Sequence, residues 1–345
     1  MSHRPTIRGK EASTGREGNS INSERQGRVE NKFFKALLLA PGVLTLLYGG
    51  ISVFVARIVA FALRKAIKKT PAELGLSYRD VSFPSREDHL LLRGWFIPGV
   101  LPGGQLTTER TIIMVHGVHS NREALEAGLL DLCAALARHG FAVLAFDMRG
   151  HGQSTTAPLS MGYFEQRDVL GAVDFLRSGP LPYPELGRPR AIGGWGISLG
   201  GTSTLLAAAH EPAIQGVVTD CAFAALVTLL EKDPRIPKVF IPGVAKALRQ
   251  LYGIDYNAVR PVDVVASIAP RPLFFIQSGI DTIVPPWNMN LLANAASAAP
   301  DAHVQTWLIP GADHIQAYHV MGTEYVNRVV TFFTAALGPA TLAAV

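Results

Sequence analysis

Cysteine is scarce in this sequence: 345 residues contain two, Cys133 and Cys221, and neither belongs to a Cys-x-x-Cys pattern. This scarcity excludes a disulfide framework and gives no indication of a zinc site, and it leaves the redox compartment open. The chain also lacks an internal repeat. No strip of basic and aromatic residues follows the first 70 positions, so the net charge of +5 does not indicate a nucleic acid partner.

Apolar residues make up 48% of the chain and include one long run near the N-terminus. The 21 residues of Ala36–Ala56 carry no charge, and a helix of that length spans about 30 Å, the thickness of a bilayer core. Basic residues flank this run, which favours a membrane surface as the partner. The pattern predicts a single-pass transmembrane helix. A cleaved signal peptide or a helix packed on the domain are the alternatives, although the apolar core of a signal peptide has only about 7–15 residues.

Composition divides the chain into three parts. Residues 1–32 are basic, rich in Ser, Gly and Asn, and expected to be disordered. Residues 33–70 are predicted to form the transmembrane anchor and a basic juxtamembrane helix, and a domain is predicted over 71–345. Five Lys and Arg residues lie in 16–35 and five in 57–76, so the charge pattern does not assign the domain to either side of the membrane.

Short apolar segments alternate with helical segments along the domain. Two antiparallel strands are predicted at 78–84 and 90–98. The predicted strands that follow are 111–115, 142–146, 191–197, 214–219, 273–277 and 304–309, and the predicted helices are 122–139, 162–178, 202–210, 287–298 and 318–337. This alternation indicates a mostly parallel sheet with helices on both faces, an α/β fold.

The stretch Gly196-Ile197-Ser198-Leu199-Gly200 interrupts a buried strand and leads directly into a helix. Such a turn exposes the serine hydroxyl, and a Cβ on either glycine would collide with the backbone. The N–H of Leu199 begins the helix and is expected to face an oxyanion formed beside Ser198. The pattern therefore predicts a nucleophilic serine with one oxyanion donor.

A serine nucleophile needs a base, and the loops after two later strands offer one with an acid. His314 follows the last predicted strand, and Asp281 follows the strand before it. The order Ser198, Asp281, His314, each directly after a strand, predicts a nucleophile, an acid that orients the imidazole, and a base. Asp313 is the alternative acid, but adjacent residues do not normally reach the required carboxylate–imidazole geometry.

The loop after strand 111–115 is expected to supply the second oxyanion donor, the N–H of Val118. His116 and His119 in the same loop are interpreted as residues that hold the loop by hydrogen bonds. Another loop, 147–154, is rich in turn residues and is interpreted as a floor beneath the site, with Asp147 and Arg149 ion-paired.

Together these motifs resemble those of the α/β-hydrolase superfamily, over about residues 75–338. The motifs that carry the resemblance are His116-Gly117, Asp147-x-Arg-Gly-x-Gly-x-Ser154, Gly196-x-Ser198-x-Gly200, Gly279-x-Asp281-x-x-Val-Pro285 and Gly311-x-x-His314. The chain is most similar to the serine-aminopeptidase/prolyl-oligopeptidase-like branch in which a membrane anchor precedes the domain. The resemblance implies an eight-stranded sheet, a triad of Ser198, Asp281 and His314, and neither cofactor nor metal.

Residues 223–269 interrupt the alternation at the point where such hydrolases carry a small helical cap. Apolar residues there recur at spacings of three and four, so their helices either cover the pocket mouth or complete the core. If they cover the pocket, a lipid-like acyl group suits the site better than a charged peptide. The sequence thus predicts a membrane-anchored serine hydrolase that cleaves a carboxylic ester or thioester. A serine peptidase and a non-catalytic scaffold on the same fold are the alternatives.

Overall fold

The computed structural model of the chain describes residues 1–3 and 17–339, in two compact units, Met1–Ser52 and Val53–Val345. The first helix, α1, is Glu17–Val59. The disorder predicted for 1–32 is therefore wrong from Glu17 onwards, while residues 4–16 lie outside the described chain. Once an apolar helix has formed, each added residue gains a hydrogen bond at little cost, and the Glu, Gln, Arg and Lys of this region are good helix formers.

One segment of α1, Pro41–Val59, is long and apolar enough to cross a membrane, with a mean hydropathy of 1.8 and only 11% of its residues buried. The criteria behind this finding are length and composition, and a signal sequence also meets them. The helix continues through Pro41. The hydroxyl of Thr45 donates to the carbonyl oxygen of Pro41, and that of Ser52 to the carbonyl oxygen of Tyr48, both at 2.8 Å. These hydroxyls are thus satisfied inside the helix, as an apolar environment requires.

The basic juxtamembrane helix predicted up to residue 70 is wrong, because α1 ends at Val59 and residues 62–70 form neither helix nor strand. Backbone N–H groups in this segment donate to side chains of the domain instead of to carbonyls one helical turn back. Leu63 donates to His119, and Lys68 and Lys69 donate to Glu123.

The domain is built on one eight-stranded sheet. Its strands, in chain order, are β1 Arg79–Pro84, β2 Leu91–Ile97, β5 Arg110–Val115, β6 Ala142–Asp147, β7 Ala191–Ile197, β8 Ile214–Asp220, β9 Leu273–Ser278 and β10 Val304–Ile309, while β3 Gly99–Val100 and β4 Leu106–Thr107 form a small separate hairpin. The spatial order is β1-β2-β6-β5-β7-β8-β9-β10. Strand β2 pairs antiparallel with β1 and β6, and the pairs from β6 to β10 are parallel. The sheet is therefore mixed, as predicted in outline.

Helices cover both faces of this sheet. They are α2 Leu129–Arg138, α3 Glu165–Ser178, α4 Leu199–His210, α5 Leu226–Lys232, α6 Ile241–Tyr252, α7 Pro261–Val264, α8 Trp287–Ser297, α9 Ala317–Met321 and α10 Thr323–Leu337. Alternate residues of buried β5 serve different cores: Ile113 and Val115 pack with α3, α4 and α8, and Ile112 and Met114 pack with α2 and α10. This is the two-residue period of a strand buried on both faces.

Two predicted helices differ from the structure at their ends. The first helix was expected to begin at Arg122. Instead, the side chain of Asn121 accepts the N–H groups of Glu123 and Ala124, which forms a turn, and α2 begins at Leu129. The last was expected to be continuous, but it breaks at Gly322, whose φ is +49°. The insert at 223–269 is helical, as predicted, and contains α5, α6 and α7.

Candidate active site

Ser198 lies on the sharp turn between β7 and α4, with φ +54° and ψ −120°. This backbone conformation is rare for a residue with a side chain. Its N–H donates to the carbonyl oxygen of Asp220 on the neighbouring strand at 2.7 Å. A Cβ on Gly196 would overlap the backbone of Gly200, and one on Gly200 would overlap the carbonyl oxygens after β5. The glycines are therefore required sterically, and together with the Asp220 bond they fix the serine at the sheet edge.

The structure brings His314 between Ser198 and Asp281. The Nε2 atom of His314 lies 3.1 Å from the Oγ of Ser198, and its Nδ1 atom lies 2.6 Å from an oxygen of Asp281. Ser198 is 6% exposed as a residue, and the side chains of His314 and Asp281 are 17% and 0% exposed. Since Nδ1 faces a carboxylate, it carries the proton, and Nε2 is free to accept one from the serine hydroxyl.

Backbone amides hold the carboxylate of Asp281 in place. Its Oδ1 atom accepts the N–H groups of Ile283 at 2.8 Å and Val284 at 2.7 Å. Its Oδ2 atom faces the imidazole at 2.6 Å and accepts a longer hydrogen bond of 3.4 Å from the side-chain amide of Gln277. The alternative acid, Asp313, is exposed and accepts the backbone N–H of His314 at 2.7 Å. It therefore faces the main chain, and Asp281 is the carboxylate that reaches the ring.

The loop after β5 passes over the serine: a Cβ at Gly117 would lie 3.5 Å from the Cβ of Ser198. The N–H of His119 is already engaged, because it donates to the Nε2 of His151 at 3.2 Å. Over residues 17–339, the N–H groups of Val118 and Leu199 donate to no protein acceptor. These are the two groups that were predicted from the sequence to be oxyanion donors.

Two buried histidines support this loop in the neutral form. The Nδ1 of His116 bonds the carbonyl oxygen of Gly117 at 2.7 Å, and its Nε2 accepts the N–H of Met148 at 3.0 Å. Burial lowers the pKa of His116 well below its usual value and also lowers that of His151. Each ring needs one bare nitrogen for its backbone donor, so these residues hold the loop and do not transfer protons.

The ion pair predicted between Asp147 and Arg149 is wrong, because each has another partner. Asp147 accepts the N–H of Arg122 at 2.7 Å and its guanidinium at 3.1 Å. Arg149 bonds the buried carboxylate of Asp168 at 2.7 Å and that of Asp88 at 2.6 Å. The loop 147–154 is therefore held by three ion pairs that link it to distant parts of the chain.

Another buried carboxylate, that of Asp220 at the carboxyl end of β8, was not identified from the sequence. Its oxygens accept the hydroxyl of Tyr325 at 2.9 Å and the thiol of Cys221 at 3.1 Å. Burial raises the pKa of Asp220 to about 6. Its place directly after the predicted strand 214–219 is the same signal that identified Asp281, and it could have drawn attention to this residue.

Cys221, Asp281 and His314 have potential metal-ligating atoms within 4.8 Å of one another, in the part of the chain that was described. However, the carboxylate and the ring nitrogen are bound to each other at 2.6 Å. Burial raises the pKa of the Cys221 thiol well above its usual value, which keeps it protonated, and metals bind the thiolate. These contacts favour a hydrogen-bonded cluster over a metal centre.

Apolar residues of the helical insert pack in a cluster that borders the site. Its buried members include Phe223, Leu226, Leu248 and Val284, the residue whose N–H binds Asp281. The cluster also contains Ala56, in the last turn of α1, and Ala60, directly after this helix. The apolar cluster of the insert therefore reaches the residue whose N–H binds the Asp281 carboxylate.

A family model described as serine aminopeptidase, S33, matches residues 107–260, which include Ser198 but not Asp281 or His314. The uncharacterized protein YfhR of Escherichia coli K12 is 28% identical over 76% of this chain and 83% of its own length. The thiohydrolase aneE of Aspergillus aculeatus is 28% identical over 47% of this chain and 46% of its own. Among solved structures, the Pyrococcus furiosus esterase Pf2001 has a TM-score of 0.65 and 25% identity, and covers 81% of this chain and all of its own. The chain therefore has the α/β-hydrolase fold of this esterase, and its residues 107–260 are similar to the serine aminopeptidase family.

Proposed function

We propose that this protein is a serine hydrolase that cleaves a carboxylic ester or thioester. The observation that carries the proposal is the short proton path from the hydroxyl of Ser198 through the imidazole of His314 to Asp281, at 3.1 Å and 2.6 Å. Hydroxyl groups at neutral pH become nucleophilic when a positioned base removes their proton during attack. A hydrolase is also what the superfamily and the esterase neighbour support.

In the proposed reaction, Ser198 Oγ attacks the carbonyl carbon and His314 Nε2 takes the hydroxyl proton. The carbonyl electrons move to oxygen, and the N–H groups of Val118 and Leu199 stabilise that oxyanion. His314 then gives the proton to the leaving alcohol or thiol, and the acyl group remains on the serine. Water, deprotonated by the same imidazole, attacks the acyl-enzyme and regenerates Ser198. Asp281 keeps the proton of the ring on Nδ1 and stabilises the imidazolium formed in each step.

The apolar residues around Asp281 favour an acyl group with a hydrocarbon or lipid-like part. Phe223 and Val284 belong to the buried cluster of the insert, and Ile280 and Ile283 beside Asp281 are exposed at 58% and 44%. Apolar walls with a few polar groups are typical of sites for small apolar ligands. One similar protein is named an esterase, Pf2001, and another a thiohydrolase, aneE.

A peptidase is the second candidate, because the matching family model is described as a serine aminopeptidase. The two functions separate on paired substrates with the same acyl group, one a nitrophenyl ester and the other a nitroanilide. The proposed esterase is favoured if the ratio of ester to nitroanilide turnover exceeds the ratio of their uncatalysed hydrolysis rates. Efficient turnover of aminoacyl nitroanilides favours the peptidase.

We further propose that the Pro41–Val59 segment of α1 anchors the protein in a membrane as a single span. Its exposed apolar surface and the flanking basic residues support this. The full chain is then expected to stay with membranes after alkaline carbonate washing and to need detergent for release. Recovery of a shortened chain in the soluble fraction would instead indicate a cleaved signal sequence.

A fluorophosphonate probe tests the nucleophile directly, because it labels serines that an adjacent base activates. The wild type is expected to be labelled, and Ser198→Ala is expected to lose both labelling and ester hydrolysis. Ser203→Ala is the matched control: this buried serine on α4 donates to the carbonyl oxygen of Leu199 at 2.9 Å, and its loss should leave labelling intact. A folded wild-type protein without labelling would indicate a scaffold and overturn the proposal.

A further inference from the structure

Residues 60–70, which we call the strap, follow α1 and lie along the loop that carries Val118. The N–H of Leu63 donates to the Nδ1 of His119 at 3.0 Å. The side chain of Asn121 donates to the carbonyl oxygens of Lys65 and Ala66, each at 3.3 Å. The strap therefore meets the loop through directed hydrogen bonds, with donors on both sides.

Two carboxylates of the same loop region accept hydrogen bonds from the strap. The buried carboxylate of Glu123 accepts the backbone N–H groups of Lys68 at 2.7 Å and Lys69 at 3.0 Å. Glu126 accepts the ammonium group of Lys65 at 2.9 Å and the hydroxyl of Ser120 at 2.8 Å. Since a buried carboxylate without donors is costly, these contacts hold the strap and the loop together.

His119 is the point where the strap reaches the residue next to Val118. Its φ is +55°, a left-handed conformation that few residues with a side chain adopt. Its N–H donates to the Nε2 of His151, and its ring accepts the N–H of Leu63. The N–H of His119 belongs to the peptide bond between Val118 and His119. The two hydrogen bonds of His119 therefore limit how the backbone at Val118 can turn.

We propose that His119 is a positioning residue, held by the strap, which orients the Val118 amide toward the oxyanion. The strap thus acts on the active site through His119, and it also connects to α1. This inference rests on the proposed function, in which Val118 is an oxyanion donor. A donor that faces the oxyanion acts in the transition state and not on the bound substrate. Loosening it should therefore lower kcat and leave KM nearly unchanged.

Two substitutions at His119 separate the hydrogen bond from the backbone conformation. In the full chain, His119→Gly keeps the left-handed backbone but removes the acceptor for Leu63. His119→Asn keeps both, because asparagine tolerates positive φ and carries an acceptor oxygen in the place of Nδ1. With a nitrophenyl ester, His119→Gly is expected to lower kcat by about tenfold or more, short of the roughly 100-fold or greater loss of a whole oxyanion donor. His119→Asn is expected to stay close to the wild type.

The other end of the bond provides a second, independent variant. Leu63→Pro removes the N–H donor at an exposed position, and Leu63→Ala retains it. We expect Leu63→Pro to lower kcat as His119→Gly does, Leu63→Ala to have no effect, and the double variant to be no worse than either single one. Thermal unfolding of each variant identifies any global loss of fold, and the kcat and KM of folded variants decide the result.

The two proposals fail separately. A wild type without ester turnover overturns the proposed function and the positioning role with it. An active wild type whose folded His119→Gly and Leu63→Pro variants keep the wild-type kcat overturns the positioning role alone. Losses of kcat that multiply in the double variant also overturn it, because they would mean that the two residues do not act through one hydrogen bond.

Discussion

Replacing Asp281 by asparagine tests the tautomer of His314. Oδ1 of Asp281 accepts two backbone N–H groups, from Ile283 and Val284. An asparagine must therefore keep its carbonyl oxygen there, since its NH2 group would otherwise face two donors. The NH2 group then occupies the position of Oδ2, 2.6 Å from Nδ1 in the present structure, and turns that nitrogen into an acceptor. The proton of the ring moves to Nε2, which can no longer take the proton of Ser198.

The size of the effect follows from this loss of the base. Trapping the imidazole in the wrong tautomer lowers kcat by about 10⁴-fold in a site of this kind, which is about 5 kcal/mol of transition-state stabilisation. Because asparagine has the shape of aspartate and keeps its bonds to the two amides, the fold should persist. We therefore expect kcat for a nitrophenyl ester to fall by about this factor. The circular dichroism spectrum, and the binding of ligands that do not react with Ser198, should stay near those of the wild type.

Asp313→Asn is the matched control, one residue from the same histidine. Its carboxylate is exposed and accepts a backbone N–H, so its replacement should change kcat by less than about threefold, in line with a weak surface interaction. A loss below tenfold in Asp281→Asn, or a comparable loss in Asp313→Asn, would refute the assignment of Asp281 as the residue that orients the base.

Three further predictions address the frame around the site. Gly196→Ala should prevent folding or lower the midpoint of thermal unfolding sharply, because the new Cβ would overlap the backbone of Gly200; Gly117→Ala, which meets only ordinary contacts near 3.5 Å, should fold normally. Burial raises the pKa of Asp220 to about 6, so between about pH 4 and pH 6 the folded protein binds more protons than the unfolded chain and loses stability as pH rises. Asp220→Asn should therefore gain stability over the wild type from pH 5 to pH 8, approaching about 3 kcal/mol in denaturant titrations; a difference that does not change with pH would contradict the raised pKa. Phe83→Ala should lose about 3–5 kcal/mol in urea unfolding, because its buried ring packs against two other phenylalanine rings at 5.1 and 5.5 Å between centroids, and a loss under 1 kcal/mol would contradict this packing.

The sheet and the three residues brought together at its edge were predictable from the sequence, because the signals that mark them are local. A run of apolar residues marks a buried strand, and the residue after each strand lies at the carboxyl edge wherever the pairing is parallel. Ser198, Asp281 and His314 all carry this mark. Their roles in catalysis stay predictions, while their proximity is a feature of the structure.

Partners that are distant along the chain were not predictable in this way. Arg149 was assigned to its neighbour Asp147, but it pairs with Asp168, nineteen positions away, because the helix α3 brings that carboxylate beneath the loop. The strap was expected to belong to a basic helix, and its Ala, Leu, Arg and Lys residues are good helix formers. Its N–H groups nevertheless donate to side chains of a loop more than fifty positions away. Local propensity amounts to only a few tenths of a kcal/mol per residue, and tertiary hydrogen bonds outweigh it.

The backbone conformation of Ser198 also affects the stability of the folded protein. A φ of +54° costs a residue with a side chain about 1–2 kcal/mol that glycine avoids. Ser198→Gly should therefore produce an inactive protein with a higher midpoint of thermal unfolding than the wild type. Equal midpoints for the two proteins would argue against strain at this turn. A screen for thermal resistance alone would discard the very hydroxyl on which the proposed chemistry depends.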